Sequence, residues 1–439
     1  MARLFNFKNL FFFVFFIFSF LLSLQLHRNI NRFDWKSEIF ADKAGYYIYL
    51  PASFLYQFRY DKIPAGMDEK CGNGFQLDSV NRKFHDKYTC GVAILLTPFF
   101  LGTHLLSVGL NIPEEAGFSV LYFKMTDLAA AFYLVAGLWL LFNVLRRFYR
   151  PLVVYLSLLL LFFGTNLFYY TQVDGLMSHV FSFFLFSAFL NQLLKLLDNP
   201  DNYRAFLGMC LALALAVLIR PTNLFIASAF FFLGAGNLQE TVKRAGILFR
   251  PKYFMTLITL FILVYLPQLF YWHYLSGHWF FNAYQGESFI YWNSPKLAEV
   301  WFAPLNGLFL YSPLVLMIVA AIGWMIVRRE TNGIYLALLF LGISYVFASW
   351  YAWHFGCSYG QRSFVEYYTI LSLPLAWLVS RIVDGKRRLF TWFAALLLLF
   401  LSYYSVRMSL HYDKCFYSTA WDWAKLSNDI LKAGIFLIR

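Results

Sequence analysis

Apolar residues fill long uninterrupted runs of this chain, and short polar stretches separate those runs. A run of about 20 apolar residues is the length that a helix needs to cross a bilayer. By that measure the pattern predicts about eleven membrane spans and an all-α, polytopic transmembrane protein. The predicted spans cover residues 9–26, 120–145, 151–170, 175–194, 205–219, 222–237, 253–272, 306–327, 332–350, 364–381 and 389–406.

Composition indicates the same class of protein. Hydrophobic residues make up 60% of the chain and charged residues only 13%, whereas soluble domains of this size carry far more charge on their surfaces. The net charge of +13 comes largely from Lys and Arg in the short loops between apolar runs. Such loops orient a protein in the membrane, so the charge does not indicate a nucleic-acid partner.

One more apolar run, residues 91–110, is long enough to span but contains a proline, a histidine and a Gly-Thr pair. If it does not cross, the N-terminus and the basic loops fall together on the inner side; if it crosses, every basic loop turns outward. We therefore expect an interfacial or re-entrant helix. The basic residues concerned are Arg146, Arg147, Arg150, Lys195, Arg204, Lys243, Arg244, Arg250, Lys252, Arg328, Arg329, Arg381, Lys386, Arg387 and Arg388.

This topology predicts one transmembrane domain over residues 1–439 whose polar clusters face outward. The first external loop, 27–119, is large and carries helices next to the membrane. Further external segments are 273–304, 349–363 and a short tail at 407–439. A protein with polar segments on one side only is expected to work at the outer leaflet.

The stretch 34–47 follows the first predicted span and holds Asp34, Glu38 and Asp42. Their spacing of four places them on one face of a helix, which fits a solvated stripe as well as a site. A carboxylate where water meets lipid can be partly desolvated and can deprotonate a hydroxyl group. Asp42 is therefore our candidate for a catalytic base.

Basic residues near the outer membrane surface are unexpected, because positive charge usually concentrates on the inner side. A charge at the edge of a span is costly, so these residues are candidates for a functional site. Arg220 ends a span in LIRPTN, Arg362 lies in GQRSF, and Lys124 lies near the outer end of the second span. Arginine forms forked contacts with phosphate. Anchoring of a helix end, or a salt bridge such as Arg362 with Glu366, would account for the same residues.

The outer segments also contain histidines, tyrosines and a glutamate that could contact a substrate, although structural roles and membrane anchoring are equally compatible with them. Cys71 and Cys90 share the first external loop and form either a disulfide or two thiols. No zinc-ligand spacing is present, and no metal site is predicted. The candidate substrate contacts are Tyr46, Tyr47, His179, Glu287 and His354.

The combination of one span, an acidic first loop, a Tyr pair and outward polar clusters resembles the GT-C superfamily of integral-membrane glycosyltransferases. It is most similar to the branch of protein O-mannosyltransferases and aminoarabinose transferases. The segments that carry the resemblance are ADKAGYYIYLPA (41–52), SHVFSFFLF (178–186), LIRPTN (218–223), NGLFLYSPLVL (306–316) and FGCSYGQRSFVEYY (355–368).

The resemblance implies a polyprenyl-phosphate sugar as donor and an acceptor glycan, lipid or protein, at the outer face of a bacterial inner membrane. It implies inverting transfer with Asp42 as base, and donor phosphate held by Arg362, Arg220 and Lys124. Here Lys43 follows Asp42, where the commonest family pattern has a second acid. This favours a mechanism without a metal or other cofactor over one that uses a divalent ion. The alternative function is a transporter or flippase for a lipid-linked glycan.

Overall fold

The computed structural model describes residues 7–112, 117–284, 286–386, 388–412 and 417–435. Parts of the predicted features lie outside these ranges, among them Arg387, residues 113–116 of the predicted first loop, and residues 436–439 of the predicted tail. The described chain is helical apart from one antiparallel hairpin, β1 (Gln76–Asp78) and β2 (Lys83–His85). The helices are α1 (Phe7–Leu26), α2 (Asp42–Phe54), α3 (Met67–Lys70), α4 (Gly91–Gly109), α5 (Val120–Leu145), α6 (Pro151–Phe163), α7 (Tyr169–Gln172), α8 (Ser178–Asp198), α9 (Tyr203–Ile219), α10 (Ser228–Phe232), α11 (Leu238–Leu248), α12 (Pro251–Ser276), α13 (Leu297–Phe302), α14 (Leu308–Tyr311), α15 (Leu314–Val327), α16 (Gly333–Ser349), α17 (Tyr368–Val383), α18 (Arg388–His411) and α19 (Trp423–Lys432).

This is an all-α polytopic membrane protein, as the hydrophobic pattern predicted. Among the described residues, six helices are long and apolar enough to cross a membrane, namely α1, α4, α5, α8, α12 and α18. Shorter apolar helices accompany them, and the count of about eleven spans stays a prediction. Over 222–237, where one span was predicted, a 3-10 turn (Pro221–Ala227) leads into α10, and Gly234 in a left-handed conformation follows.

The helices α5, α8 and α9 form the buried centre of the bundle. Tyr133 of α5 contacts Phe181 of α8, and further along both helices Gly137 approaches Phe183, so α5 and α8 run in parallel. Asn223, just past the end of α9, donates to Ser182 near the start of α8. Both α5 and α8 therefore begin, and α9 ends, on one side of the bundle, which we call the upper side.

Helix α4 stays on the upper side at both of its ends. Its first residue, Gly91, lies against Ile219 at the end of α9, and the carbonyl of Leu95 accepts from Tyr133. Near its other end, His104 bonds the hydroxyl of Tyr122, the third residue of α5, at 2.8 Å. The helix thus lies beside only the first half of α5. That it is interfacial or re-entrant stays a prediction from charge bias.

The apolar residues of α12 and α18 are largely left outside the protein core. Leu263 of α12 is 55% exposed and Leu399 of α18 is 64% exposed. An unpartnered apolar surface along two long helices would be unfavourable in water and is favourable against lipid chains. These two helices therefore supply much of the lipid-facing surface.

The first loop does not place its three acids on one helix, and that part of the prediction is wrong. Residues 34–41 form turns, and α2 begins only at Asp42. Ala41 has φ of 48°, outside the right-handed helical range, so the helix cannot extend further back. Its N–H donates to the carbonyl of Cys71 at 2.8 Å, which ties the start of α2 to the loop that follows.

Gly74 packs directly under this helix start. A Cβ there would lie 1.8 Å from the carbonyl oxygen of Ala41, and relieving this clash would require a shift of the backbone. We expect Gly74→Ala to lower the unfolding free energy by about 1–3 kcal/mol, as overpacking does. Thermal unfolding in detergent measures this, with Gly102→Ala as control because a Cβ at Gly102 meets nothing within 4 Å. Equal stability of the two variants would show that the contact carries no strain.

The disulfide considered between Cys71 and Cys90 does not form, and both residues are buried thiols. Backbone bonds hold the two residues against different partners: the carbonyl of Cys71 accepts from Ala41, whereas the N–H of Cys90 donates to the Gln268 side chain at 2.8 Å. Cys357, in a later loop, is disulfide-bonded instead.

Candidate active site

A cavity of about 1130 Å³ lies on the upper side of the bundle. Its walls come from α2, the start of α8, the turn after α9 and the polar loops that follow α12 and α16. Six of the nine candidate residues predicted from sequence line it, although they come from five separate parts of the chain. These are Asp42, Tyr46, His179, Arg220, Glu287 and Arg362.

Asp42 stands at the first turn of α2 and forms an ion pair with Arg362, whose Nη2 lies 3.1 Å from its Oδ2. Burial alone would raise the pKa of this carboxyl. The charge of Arg362, a hydrogen bond from Tyr88 and the charge of Lys87 outweigh that effect, so the pKa of Asp42 lies below its usual value. The carboxylate is therefore ionised at neutral pH, and 30% of its side chain remains exposed toward the cavity.

Lys43 faces the same cavity and is itself neutralised. Its Nζ lies 2.6 Å from Oδ1 of Asp174, in the turn that precedes α8. The lysine side chain is only 6% exposed, so the pair is buried on one side and open on the other. Lys43 thus brings a cation to the cavity and, through Asp174, a second carboxylate.

Arg220, His179 and Glu366 form a second charged group. Oε2 of Glu366 lies 2.9 Å from Nδ1 of His179, and Nη1 of Arg220 lies 3.5 Å from Oε1. Arg220 also donates to Oγ of Ser363 at 3.0 Å. Since Glu366 is fully buried, it holds the guanidinium of Arg220 and the imidazole of His179 in place at the cavity wall.

Glu366 is expected to stabilise the fold as well as the site. Glu366→Gln keeps the shape but removes the charge that compensates Arg220, and breaking a buried pair costs about 3 kcal/mol. We expect a clear fall in the melting temperature of the detergent-solubilised protein. Glu299→Gln is the control, because the pair of Glu299 with Lys296 is part-exposed and should contribute little. If both variants melt alike, the buried group is not a stabilising one.

Tyr46 and Glu287 also line the cavity. The hydroxyl of Tyr46, one turn after Asp42, donates to Oγ of Ser178 at 3.4 Å. Glu287, in the loop after α12, lies 3.1 Å from Nζ of Lys87. The loop that carries Glu287 also contains Trp279, which is half exposed, and Phe280, which is mostly exposed.

Three candidates do not reach the cavity. Nζ of Lys124 is bound to Glu38 at 2.5 Å and to the carbonyl of His27, so the structure does not place it with the two arginines. Tyr47 is buried and bonds the carbonyl of Gly117. His354 accepts from the N–H of Gly356, and burial lowers its pKa.

A compact group of buried side chains lies beside the cavity, around the end of α1. It consists of His27, Glu38 and Asp127, which each offer one ligand atom within 4.8 Å of the others. Their residue types suit a metal ion. Sequence spacing gave no sign of them, because Asp127 lies 100 residues away from His27 along the chain.

Several residues that line the cavity, or that lie buried behind its wall as Glu366 does, were not predicted. Lys87 and Tyr88, which both act on Asp42, lie in the sequence FHDKYTC, where no spacing links them to the first acid. Glu366 was visible as the one acid in the stretch 349–368, but it pairs with Arg220 instead of Arg362. Lys43 and Asp174 meet only because α2 packs beside the start of α8.

No protein-family model matches the chain, and no curated protein matches it in sequence. Among solved structures, the chain is similar to the apo crystal structure of the oligosaccharyltransferase of Archaeoglobus fulgidus. The TM-score is 0.48 and the identity 13%, over 97% of this chain and 56% of that chain. The chain therefore spans about half the length of that protein.

Proposed function

We propose that this chain is a glycosyltransferase that moves one sugar from a polyprenyl-phosphate donor to an acceptor glycan, lipid or protein. The observation that carries the proposal is the meeting of Asp42 with Arg362, and of Arg220 beside them, in one large cavity. An ionised carboxylate and two arginines are the groups that an acceptor hydroxyl and a departing phosphate require. The family resemblance in sequence supports the same assignment.

The cavity lies opposite the basic turns. It is built at the start of α8 and the end of α9, whereas the Lys and Arg residues cluster where α5 and α8 end, around Arg146 and Lys195. By the positive-inside rule, this arrangement supports a cavity at the outer face of the membrane. A lipid-linked donor in the outer leaflet would reach it from the side, with its phosphate at the level of the arginines.

In the proposed reaction, the donor phosphate takes the place of Asp42 on the guanidinium of Arg362. Arginine binds phosphate through two parallel N–H donors, and Arg220 offers further donors at the same wall. Asp42, released from its partner, accepts the proton of the acceptor hydroxyl. That oxygen attacks the anomeric carbon as the bond from this carbon to the phosphate oxygen breaks, which inverts the configuration at the sugar.

The products are a glycosylated acceptor, a polyprenyl phosphate and a protonated Asp42. The two arginines stabilise the charge that develops on the leaving phosphate. Tyr46, His179 and Glu287 line the remaining wall and are positioned to bind hydroxyl groups of the sugar or acceptor. No step in this scheme requires a metal ion at the phosphate.

Turnover in detergent separates an enzyme from the alternative transporter or flippase. A micelle does not separate two aqueous compartments, and a transporter breaks no bond in its substrate. A transporter would therefore release no polyprenyl phosphate in detergent. We would supply the purified protein with a panel of polyprenyl-phosphate sugars and a membrane extract as acceptor, and follow the release of polyprenyl phosphate by mass spectrometry. Release that depends on the protein supports a transferase; donor binding without release of any sugar would favour the transporter.

A further inference from the structure

The buried group of His27, Glu38 and Asp127 joins three separate segments of the chain. His27 directly follows α1, Glu38 lies in the turns before α2, and Asp127 belongs to α5. All three side chains are at most 5% exposed. A nitrogen from one side chain and oxygens from two others therefore converge among buried side chains, within 4.8 Å of one another.

The imidazole of His27 is oriented by a backbone carbonyl. Nε2 lies 3.1 Å from the carbonyl oxygen of Val173, which can only accept, so Nε2 carries a hydrogen. Nδ1 then faces Oδ1 of Asp127 at 2.9 Å. A histidine that binds a metal through one nitrogen almost always donates its other N–H to a carbonyl or a carboxylate, and His27 has this arrangement.

Asp127 has an oxygen with no partner in the part of the chain that the structure describes. Oδ1 accepts from Ser23 at 2.8 Å and faces His27, whereas Oδ2 is buried and unbonded. An unsatisfied buried carboxylate oxygen costs about 1–3 kcal/mol or more. Glu38 gives one oxygen to Lys124 and, as a carboxylate, has a second one to offer.

We propose that His27, Glu38 and Asp127 bind a divalent metal ion, with Zn²⁺ the best match. An imidazole nitrogen with two carboxylate oxygens is a donor set that zinc accepts, with a fourth position for water. The ion would satisfy the unbonded oxygen of Asp127 and separate Nδ1 of His27 from the carboxylate it faces. Lys124 balances part of the negative charge of the two acids.

The metal would fasten the loop that carries Asp42. Glu38 lies four residues before Asp42, and its two metal partners belong to membrane helices or their ends. The ion would thus tie the turn ahead of α2 to the end of α1 and to α5. The inference does not depend on the proposed function, because metal binding is measured without any sugar donor.

The competing occupant is a proton, which would make His27 an imidazolium ion paired with Asp127. Metal content distinguishes the two. We would purify the full-length protein in detergent without a histidine tag, dialyse it against metal-free buffer and measure bound metals by inductively coupled plasma mass spectrometry. We expect about one equivalent of zinc per chain. His27→Gln and Asp127→Asn should each lose it, whereas His179→Gln, at the other buried His–carboxylate pair described here, should keep it.

A second measurement uses only the wild type, so that its result does not depend on whether the variants fold. Wild-type protein stripped with a chelator should melt at a lower temperature and regain its stability on addition of Zn²⁺, since a ligand bound only by the folded state stabilises it. Co²⁺ added instead should give visible absorption bands of a low-coordinate site. The proposal would be overturned if the wild type contained no metal and its melting temperature did not change on chelation or on Zn²⁺ addition. His27 would then be an imidazolium ion paired with Asp127.

Discussion

Asp42→Asn is expected to lower the rate of sugar transfer by about 100- to 10,000-fold, the usual contribution of a general base. The amide has nearly the shape of the carboxylate but cannot accept the proton of the acceptor hydroxyl. Donor binding should survive or become tighter, because Arg362 no longer has a carboxylate that competes with the phosphate. Rate and donor affinity are measured on the same preparation, by release of polyprenyl phosphate and by equilibrium binding of labelled donor.

Asp34→Asn is the matched control for this experiment. Asp34 lies in the same loop and is exposed, and among the described contacts its side chain accepts only from the nearby N–H of Lys36. It should keep the wild-type rate. Full activity of Asp42→Asn would remove Asp42 as the base while leaving the chain a transferase.

Arg362→Ala is expected to weaken donor binding by about 10- to 150-fold, the loss that follows removal of a hydrogen bond to a charged group. It should also slow transfer at saturating donor, since the leaving phosphate loses a cation that stabilises it. Arg362→Lys should recover only part of the donor affinity and only part of the transfer rate, because an ammonium group cannot make the forked contact with phosphate. Titration with labelled donor and single-turnover rates separate the two effects.

Arg59→Ala serves as control, because Arg59 is an exposed arginine of the first loop paired with Asp61. It should bind and transfer like wild type. An unchanged donor affinity in Arg362→Ala would mean that Arg362 serves only to hold Asp42. In that case Arg220 would remain as the phosphate ligand to test.

Hydrophobic run length was enough to predict the class of protein, since α5, α8 and α12 follow from apolar stretches that no other environment explains. It was not enough to place helix starts. The turn before α2 depends on the left-handed backbone of Ala41 and on the close approach of Gly74, which are tertiary contacts. The three acids of the first loop therefore separate into different surroundings, although their spacing suggested one face.

Residue chemistry singled out Asp42, Arg220 and Arg362, but the sequence did not reveal which charges pair. Asp42 and Arg362 are 320 residues apart, and the nearer partner for Arg362, Glu366, turns toward Arg220 instead. Lys124 was predicted at the phosphate because of its position near a span end. The packing of the turn at Glu38 against α5 takes it away from the cavity, and no local pattern encodes that packing.

A structure of Asp42→Asn with a polyprenyl-phosphate sugar bound, obtained by cryo-electron microscopy with an antibody fragment as size marker, would test the proposed site itself. We expect the donor phosphate at the guanidinium groups of Arg362 and Arg220, within hydrogen-bond distance. We also expect the anomeric carbon to face the side chain at position 42 across a gap for the acceptor hydroxyl. A donor bound with its phosphate outside this cavity would show that these arginines are not the donor site.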